Sequence, residues 1–130
     1  MSPSIEKQLS VVAWQVREKE IAKKTKVGCA LLACDGKIYA GCNIEHDFCK
    51  SMHAEEVAII KMASSNMEIR KFNYLLVVAE KENFTPCGSC MDWIIQFSNS
   101  YTLTLIGYQN KPDSEVKWYT PMELMPHYPN

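Results

Sequence analysis

Two apolar periods alternate along the chain, and the switch between them predicts its elements. Ile5, Leu9, Val12, Ala13 and Val16 recur at spacings of three and four, the stripe of an amphipathic helix. Ser4 reads as its N-cap, and Lys19, Lys23 and Lys24 lie toward the end that favours cations. Val27 to Ala33 is a compact apolar run, Asp35-Gly36 marks a tight turn, and Lys37 to Asn43 completes a hairpin. From His53 the pattern is helical, with Val57, Ile60 and Met62 and no Gly or Pro before about Ser65. Phe72 to Ala79 reads as a buried strand around Leu75-Leu76-Val77-Val78. Cys87 to Phe97 is again helical, with Trp93, Ile94 and Phe97 inward. Thr102 to Tyr108 and Val116 to Tyr119 read as strands, and Thr120 to Leu124 as a short closing helix.

The order α-β-β-α-β-α-β-β-α predicts an α/β fold of three layers, an α/β/α sandwich around a mixed five-stranded sheet. Residues 1–130 show no repeat and no linker, so one domain is expected. The helix at His53 follows one strand and the helix at Cys87 follows another. As parallel neighbours, those two strands would put both helix N-termini at one sheet edge, where ligands bind in open α/β folds.

Composition narrows the function. Fourteen Lys+Arg against fifteen Asp+Glu leave a net charge of -1, without the basic excess of a phosphate-gripping protein. No apolar run approaches the length of a membrane span, and Met1 to Glu6 lacks the look of a secretory signal, so the cytosol is the expected compartment. Six cysteines without an export signal read as reduced thiols plus a metal pair rather than a disulfide framework. Cys29, Cys34 and Cys42 fall in predicted strands and read as small buried hydrophobes.

The chemistry is concentrated in two segments. His53-Ala54-Glu55 and Pro86-Cys87-Gly88-Ser89-Cys90 match the H-x-E…P-C-x-x-C pattern of zinc deaminases. At average residue usage the two co-occur by chance in roughly one chain in several thousand of this length. One imidazole and two thiolates suit Zn²⁺, and three protein ligands leave a fourth position open for water. Cys87 and Cys90 stand at a helix start, where unpaired N–H groups favour thiolate. Glu55 is then the candidate general acid and base. Two blander readings stay open: a structural zinc completed by His46 or Cys49, and a redox C-x-x-C, which leaves His53 and Glu55 without a role.

A wider resemblance covers about residues 5 to 128. Val27-Gly28-Cys29-Ala30-Leu31-Leu32, Asp35-Gly36-Lys37-Ile38-Tyr39, Gly41-Cys42-Asn43-Ile44-Glu45 and Glu123-Leu124-Met125-Pro126 resemble the small cytidine deaminases, and the blasticidin S deaminases are similar. The resemblance implies a cytidine deaminase-like fold, one Zn²⁺ per chain on His53, Cys87 and Cys90, and deamination of a cytosine nucleoside. It also implies that Asn43 and Glu45 bind a ribose hydroxyl, that the Ala54 N–H holds the ring carbonyl, and that the Thr85 carbonyl accepts from the leaving amine. A homotetramer is implied in the same way, with a small-molecule nucleoside and neither nucleic acid nor membrane as partner. The chain departs from the pattern in Thr25, where Phe is usual, and at its end, where the expected aromatic falls on Pro129 with Tyr128 one place early. It also carries His53 and Glu56 where the small tetrameric forms usually have Cys and Arg. Three rivals remain at this point: an aminohydrolase of a modified cytosine nucleoside such as blasticidin S, a polynucleotide deaminase, and a non-catalytic zinc-stabilised binding domain.

Overall fold

The computed structural model describes residues 2–19, 26–45, 51–65, 68, 70–81 and 86–128. Helix α1 (Pro3–Arg17) buries Leu9 and Ala13 along the predicted stripe. Its cap is Ser2 rather than Ser4: the Ser2 hydroxyl accepts the Ser4 N–H at 3.3 Å. Pro3 moves the start back, because a residue with no N–H and a preset φ suits the first helical position. Lys23 and Lys24 lie outside the described residues.

Strands β1 (Val27–Ala33) and β2 (Ile38–Cys42) form the expected hairpin, turning at Gly36 with φ +85°. The turn closes when the Gly36 N–H reaches the Ala33 carbonyl at 3.0 Å, so β1 ends at Ala33. Cys34 therefore sits exposed in the turn, correcting its placement in a strand, whereas Cys29 and Cys42 are buried in β1 and β2. After β2 comes a feature that the hydrophobic pattern did not predict. A two-residue ladder pairs β3 (Ile44–Glu45) with β4 (Ser51–Met52), antiparallel. Then follow α2 (Ala54–Ser65), β5 (Phe72–Ala79), α3 (Gly88–Phe97), β6 (Leu105–Gln109), β7 (Lys117–Tyr119) and α4 (Pro121–Leu124). Strand β6 starts three residues later than its apolar pattern implies. The Ser100 hydroxyl accepts the Thr102 and Leu103 N–H groups at 3.3 and 3.0 Å, and the Thr104 hydroxyl accepts the Ser100 N–H at 2.8 Å. Such local bonds compete with a sheet ladder for the same backbone groups.

The main sheet has the order β2-β1-β5-β6-β7. Among the described strands only β5 and β6 pair in parallel, so the sheet is mixed. The strands before α2 and α3 are not the parallel neighbours expected: β1 lies between β2 and β5, but as each is antiparallel to β1 they still run in the same direction. Both therefore deliver their following helices, α2 and α3, to one sheet edge. Strand alternation sorts the core into two layers. Cys29, Leu31, Leu75, Val77 and Ile106 face α2 and α3, packing with Ala58, Ile59, Met62 and Ile94. Ala30, Leu76 and Val78 face the other way, with Leu9 and Ala13 of α1. At Gly41 a Cβ would lie 2.7 Å from the Ala58 nitrogen and 2.8 Å from the Ala54 carbonyl oxygen. The missing side chain thus lets the first turns of α2 rest directly on β2. Among the described residues no helix is long and apolar enough to cross a membrane.

Candidate active site

The start of α2 and the start of α3 meet at that sheet edge, and each contributes ligand atoms. His53 directly precedes α2, Cys87 is the N-cap of α3, and Cys90 lies in its first turn. The Nδ1 atom of His53 is 2.9 Å from the Cys90 sulfur and 3.3 Å from that of Cys87. All three ligand atoms lie within 4.8 Å of one another. Two sulfurs and one imidazole nitrogen, converging with no intervening side chain, are the donor set of one zinc ion. The fourth-ligand candidates for a purely structural zinc, His46 and Cys49, lie outside the described residues.

Burial makes the case for a cation stronger. Cys87 is exposed and its sulfur accepts the Cys90 N–H at 3.5 Å, using one of the unpaired N–H groups of the helix start. Cys90 is fully covered, and burial, followed by the negative charge of Glu55, pushes its thiol far up. The helix start favours a thiolate at Cys90 and burial opposes it, a cost that a bound cation would offset.

Glu55 stands on the first turn of α2, 2% exposed, where α2, α3 and β1 meet. Burial raises its carboxyl above the ordinary range, against the opposing pull of its own backbone N–H, the Cys90 thiol and His53. A carboxyl held in this way takes up and gives up a proton nearer neutral pH than a surface glutamate does. Cys29, on β1 beneath it, is likewise raised, first by burial and then by Glu55.

The β3–β4 ladder fixes what lies beside these groups. Its register pairs Ile44 with Met52 and Glu45 with Ser51. Ile44 and Glu45 therefore run alongside the two residues that directly precede His53. Asn43 is buried, and its Oδ1 accepts the Val27 N–H at 2.9 Å. Glu45 is half-buried. Ala54 is fully buried as the first residue of α2. Thr85, Thr25 and Pro129 lie outside the described residues. Tyr128 does not come to this site: its hydroxyl bonds Asp92 and accepts from Gln96 Nε2 at 2.9 Å, on the exposed side of α3 away from Cys90.

One neighbour of the site has more than the surface role its charge suggests. Glu56 turns toward His53, and its Oε1 accepts the His53 backbone N–H at 3.1 Å. The acid three residues after a helix-entry position is the usual signature of that contact.

Fold and site together define a hydrolytic deaminase of the zinc-dependent kind, and comparison with known proteins agrees. Residues 3–105 match the model of the cytidine and deoxycytidylate deaminase zinc-binding region. A cytidine deaminase from Sporosarcina psychrophila is 37% identical over 105 residues, covering 79% of this chain and 74% of its own. A cytidine deaminase structure from Burkholderia pseudomallei superposes with a TM-score of 0.78 at 27% identity, covering 98% of each chain. A dCMP deaminase from the cyanophage S-TIM5 superposes with a TM-score of 0.64 at 26% identity, covering 87% of this chain and 88% of its own. The chain belongs to the cytidine and deoxycytidylate deaminase family.

Proposed function

We propose that this chain hydrolyses the exocyclic amine of a free cytosine nucleoside, cytidine or deoxycytidine, to the uracil nucleoside and ammonia. The observation that supports the nucleoside over the bare base is the β3–β4 ladder, which pairs Ile44 and Glu45 with the two residues before His53, Asn43 being next in the chain. An amide N–H and a carboxylate so placed suit a sugar hydroxyl, which both accepts and donates. His53, Cys87 and Cys90 would hold the zinc ion, which when bound supplies Lewis acidity that lowers the pKa of water from about 15.7 toward 7.

The remaining work falls to the protein's own groups. The Glu55 carboxylate takes a proton from the attacking water and passes it to ring N3 as oxygen adds at C4. It then carries the second proton from the added oxygen to the exocyclic nitrogen, and ammonia leaves with the C4–N bond. The Ala54 N–H, at the open start of α2, suits the ring carbonyl, and the Thr85 carbonyl is assigned to the leaving amine by resemblance. Holding the base and sugar in one orientation lowers the entropic part of the barrier. We further read residues 1–130 as one catalytic domain that assembles as a homotetramer and serves pyrimidine salvage in the cytosol. Sedimentation of the purified protein tests the assembly, and a fully active monomer would refute it.

The substrate panel is cytidine, deoxycytidine, cytosine, deoxycytidylate and blasticidin S, followed by ultraviolet absorbance and ammonia release. Cytidine or deoxycytidine should give the highest kcat/KM. Equal turnover of cytosine and cytidine would remove the sugar-binding role of Asn43 and Glu45. Preference for deoxycytidylate or for blasticidin S would replace the nucleoside assignment while keeping the deaminase. No turnover of any of the five would leave the non-catalytic zinc domain.

A further inference from the structure

We propose that Glu56 is a positioning residue for the metal ligand His53, anchoring the backbone at the entrance of α2 so that Nδ1 faces the two sulfurs. The proposal rests on the reading of His53, Cys87 and Cys90 as zinc ligands.

The argument comes from two helix starts in the same chain. In α4 the capping box is complete: the Thr120 hydroxyl accepts the Glu123 N–H at 3.2 Å, and Glu123 Oε1 accepts the Thr120 N–H at 2.9 Å. Each residue satisfies a backbone donor of the other. At α2 only the return half is present. His53 stands where Thr120 does, directly before the helix, with its carbonyl accepting the Val57 N–H at 3.0 Å. Glu56, three residues on, accepts the His53 N–H at 3.1 Å as Glu123 does for Thr120. The side chain of His53 does not return the favour. Its ring is turned to Cys90 and Cys87, 2.9 and 3.3 Å from Nδ1.

That asymmetry assigns the roles. A residue that spends its side chain on a ligand group cannot also cap the helix, so the backbone it hangs from needs another restraint. Glu56 supplies it from a position only 14% exposed, where Oε1 is also 3.9 Å from Nδ1 of the ring. An imidazole has two side-chain torsions, so fixing its backbone leaves little freedom in where Nδ1 points. Partners outside the ligand set commonly hold metal ligands in this way, and losing one typically costs about 10–100-fold in metal affinity. Glu55 cannot substitute, since it stands two residues after His53 rather than the three that bring a carboxylate back to the helix-entry N–H.

The test is the release of zinc from the purified holoprotein to a colorimetric chelator, with the visible spectrum of the cobalt-substituted protein as a second readout. Glu56→Ala should release zinc about 10–100-fold faster and alter the cobalt bands. Glu56→Gln keeps an oxygen acceptor without the charge and should resemble the native protein in both. Glu56→Asp keeps the charge but falls one methylene short, and should release zinc faster than Glu56→Gln. If Glu56→Ala fails to fold, the order of the Asp and Gln variants decides. Native release from Glu56→Ala would overturn the proposal, as would Glu56→Gln releasing zinc as fast as Glu56→Asp or faster, since charge would then outweigh the anchor. Purified native protein without zinc is a different result, and it refutes the metal reading itself.

Discussion

The two faces of the central sheet bury polar groups in opposite ways. On the α1 face, Gln109 is buried with every end of its amide answered. Its Oε1 accepts from the Ser10 hydroxyl at 2.7 Å and from Trp14 Nε1 at 2.8 Å, and its Nε2 donates to the Ser114 carbonyl at 2.8 Å. Near it, Trp118 Nε1 donates to Glu6 Oε1 at 2.7 Å and ties β7 to α1. On the α2 and α3 face, Glu55 and Cys90 are buried with their proton affinities raised, each chiefly by burial, and the charge of Glu55 makes that of Cys90 harder still to hold. A cation on the sulfurs and a substrate that takes the proton would offset that cost. Satisfied burial serves the fold, and costly burial serves the reaction.

That comparison can be broken at its most heavily loaded residue. Glu55→Gln keeps the size of the side chain and an acceptor oxygen but cannot carry a proton. Turnover should fall about 10²–10⁴-fold or more, while zinc stays near one equivalent per chain. The unfolding midpoint should hold or rise, because burial disfavours the charged carboxylate that the amide replaces. Steady-state kinetics, metal analysis and denaturation on the same preparation check all three. A Gln variant with near-native turnover would move the acid and base role elsewhere.

The two faces were unequally legible in the sequence. Periodicity gave the order of helices and sheet strands, because each element buries one side against a core and repeats that side in its residues. The metal group was legible for a chemical reason: His53, Cys87 and Cys90 have few other uses at that spacing, and their helices had to start at one sheet edge. The β3–β4 ladder was not, since two paired residues are too short to show a period. Nor was the late start of β6, where Ser100 and Thr104 divert backbone groups that apolar neighbours would have sent to the sheet. Asn43 shows the limit for single side chains. Its amide oxygen serves the Val27 backbone, a contact set by tertiary placement across 16 residues. On the α1 face the polar bonds join residues such as Ser10 and Gln109 across 99 positions, and no local pattern announces them.

The smallest expected effect belongs to that α1 face. Trp118→Phe removes the Nε1 donor and leaves the Glu6 carboxylate to water, while an aromatic ring remains beside Tyr74, which now meets Trp118 edge-on at 6.3 Å. The bond is only partly buried, so Glu6 recovers hydration rather than being stranded, and the loss should be about 1 kcal/mol. The ring of Trp118 also lies over Gly107, where a Cβ would come within 2.5 Å of it, so the smaller Phe forfeits some of that contact and adds a few tenths of a kcal/mol. Neither change reaches α2 or α3, which pack on the opposite side of the sheet. Urea denaturation of the zinc-loaded protein should therefore show a lower midpoint with kcat, KM and zinc release all unchanged. A Trp118→Phe variant that keeps its stability but loses turnover would mean that the two faces are coupled through the sheet, and that the division of labour between them does not hold.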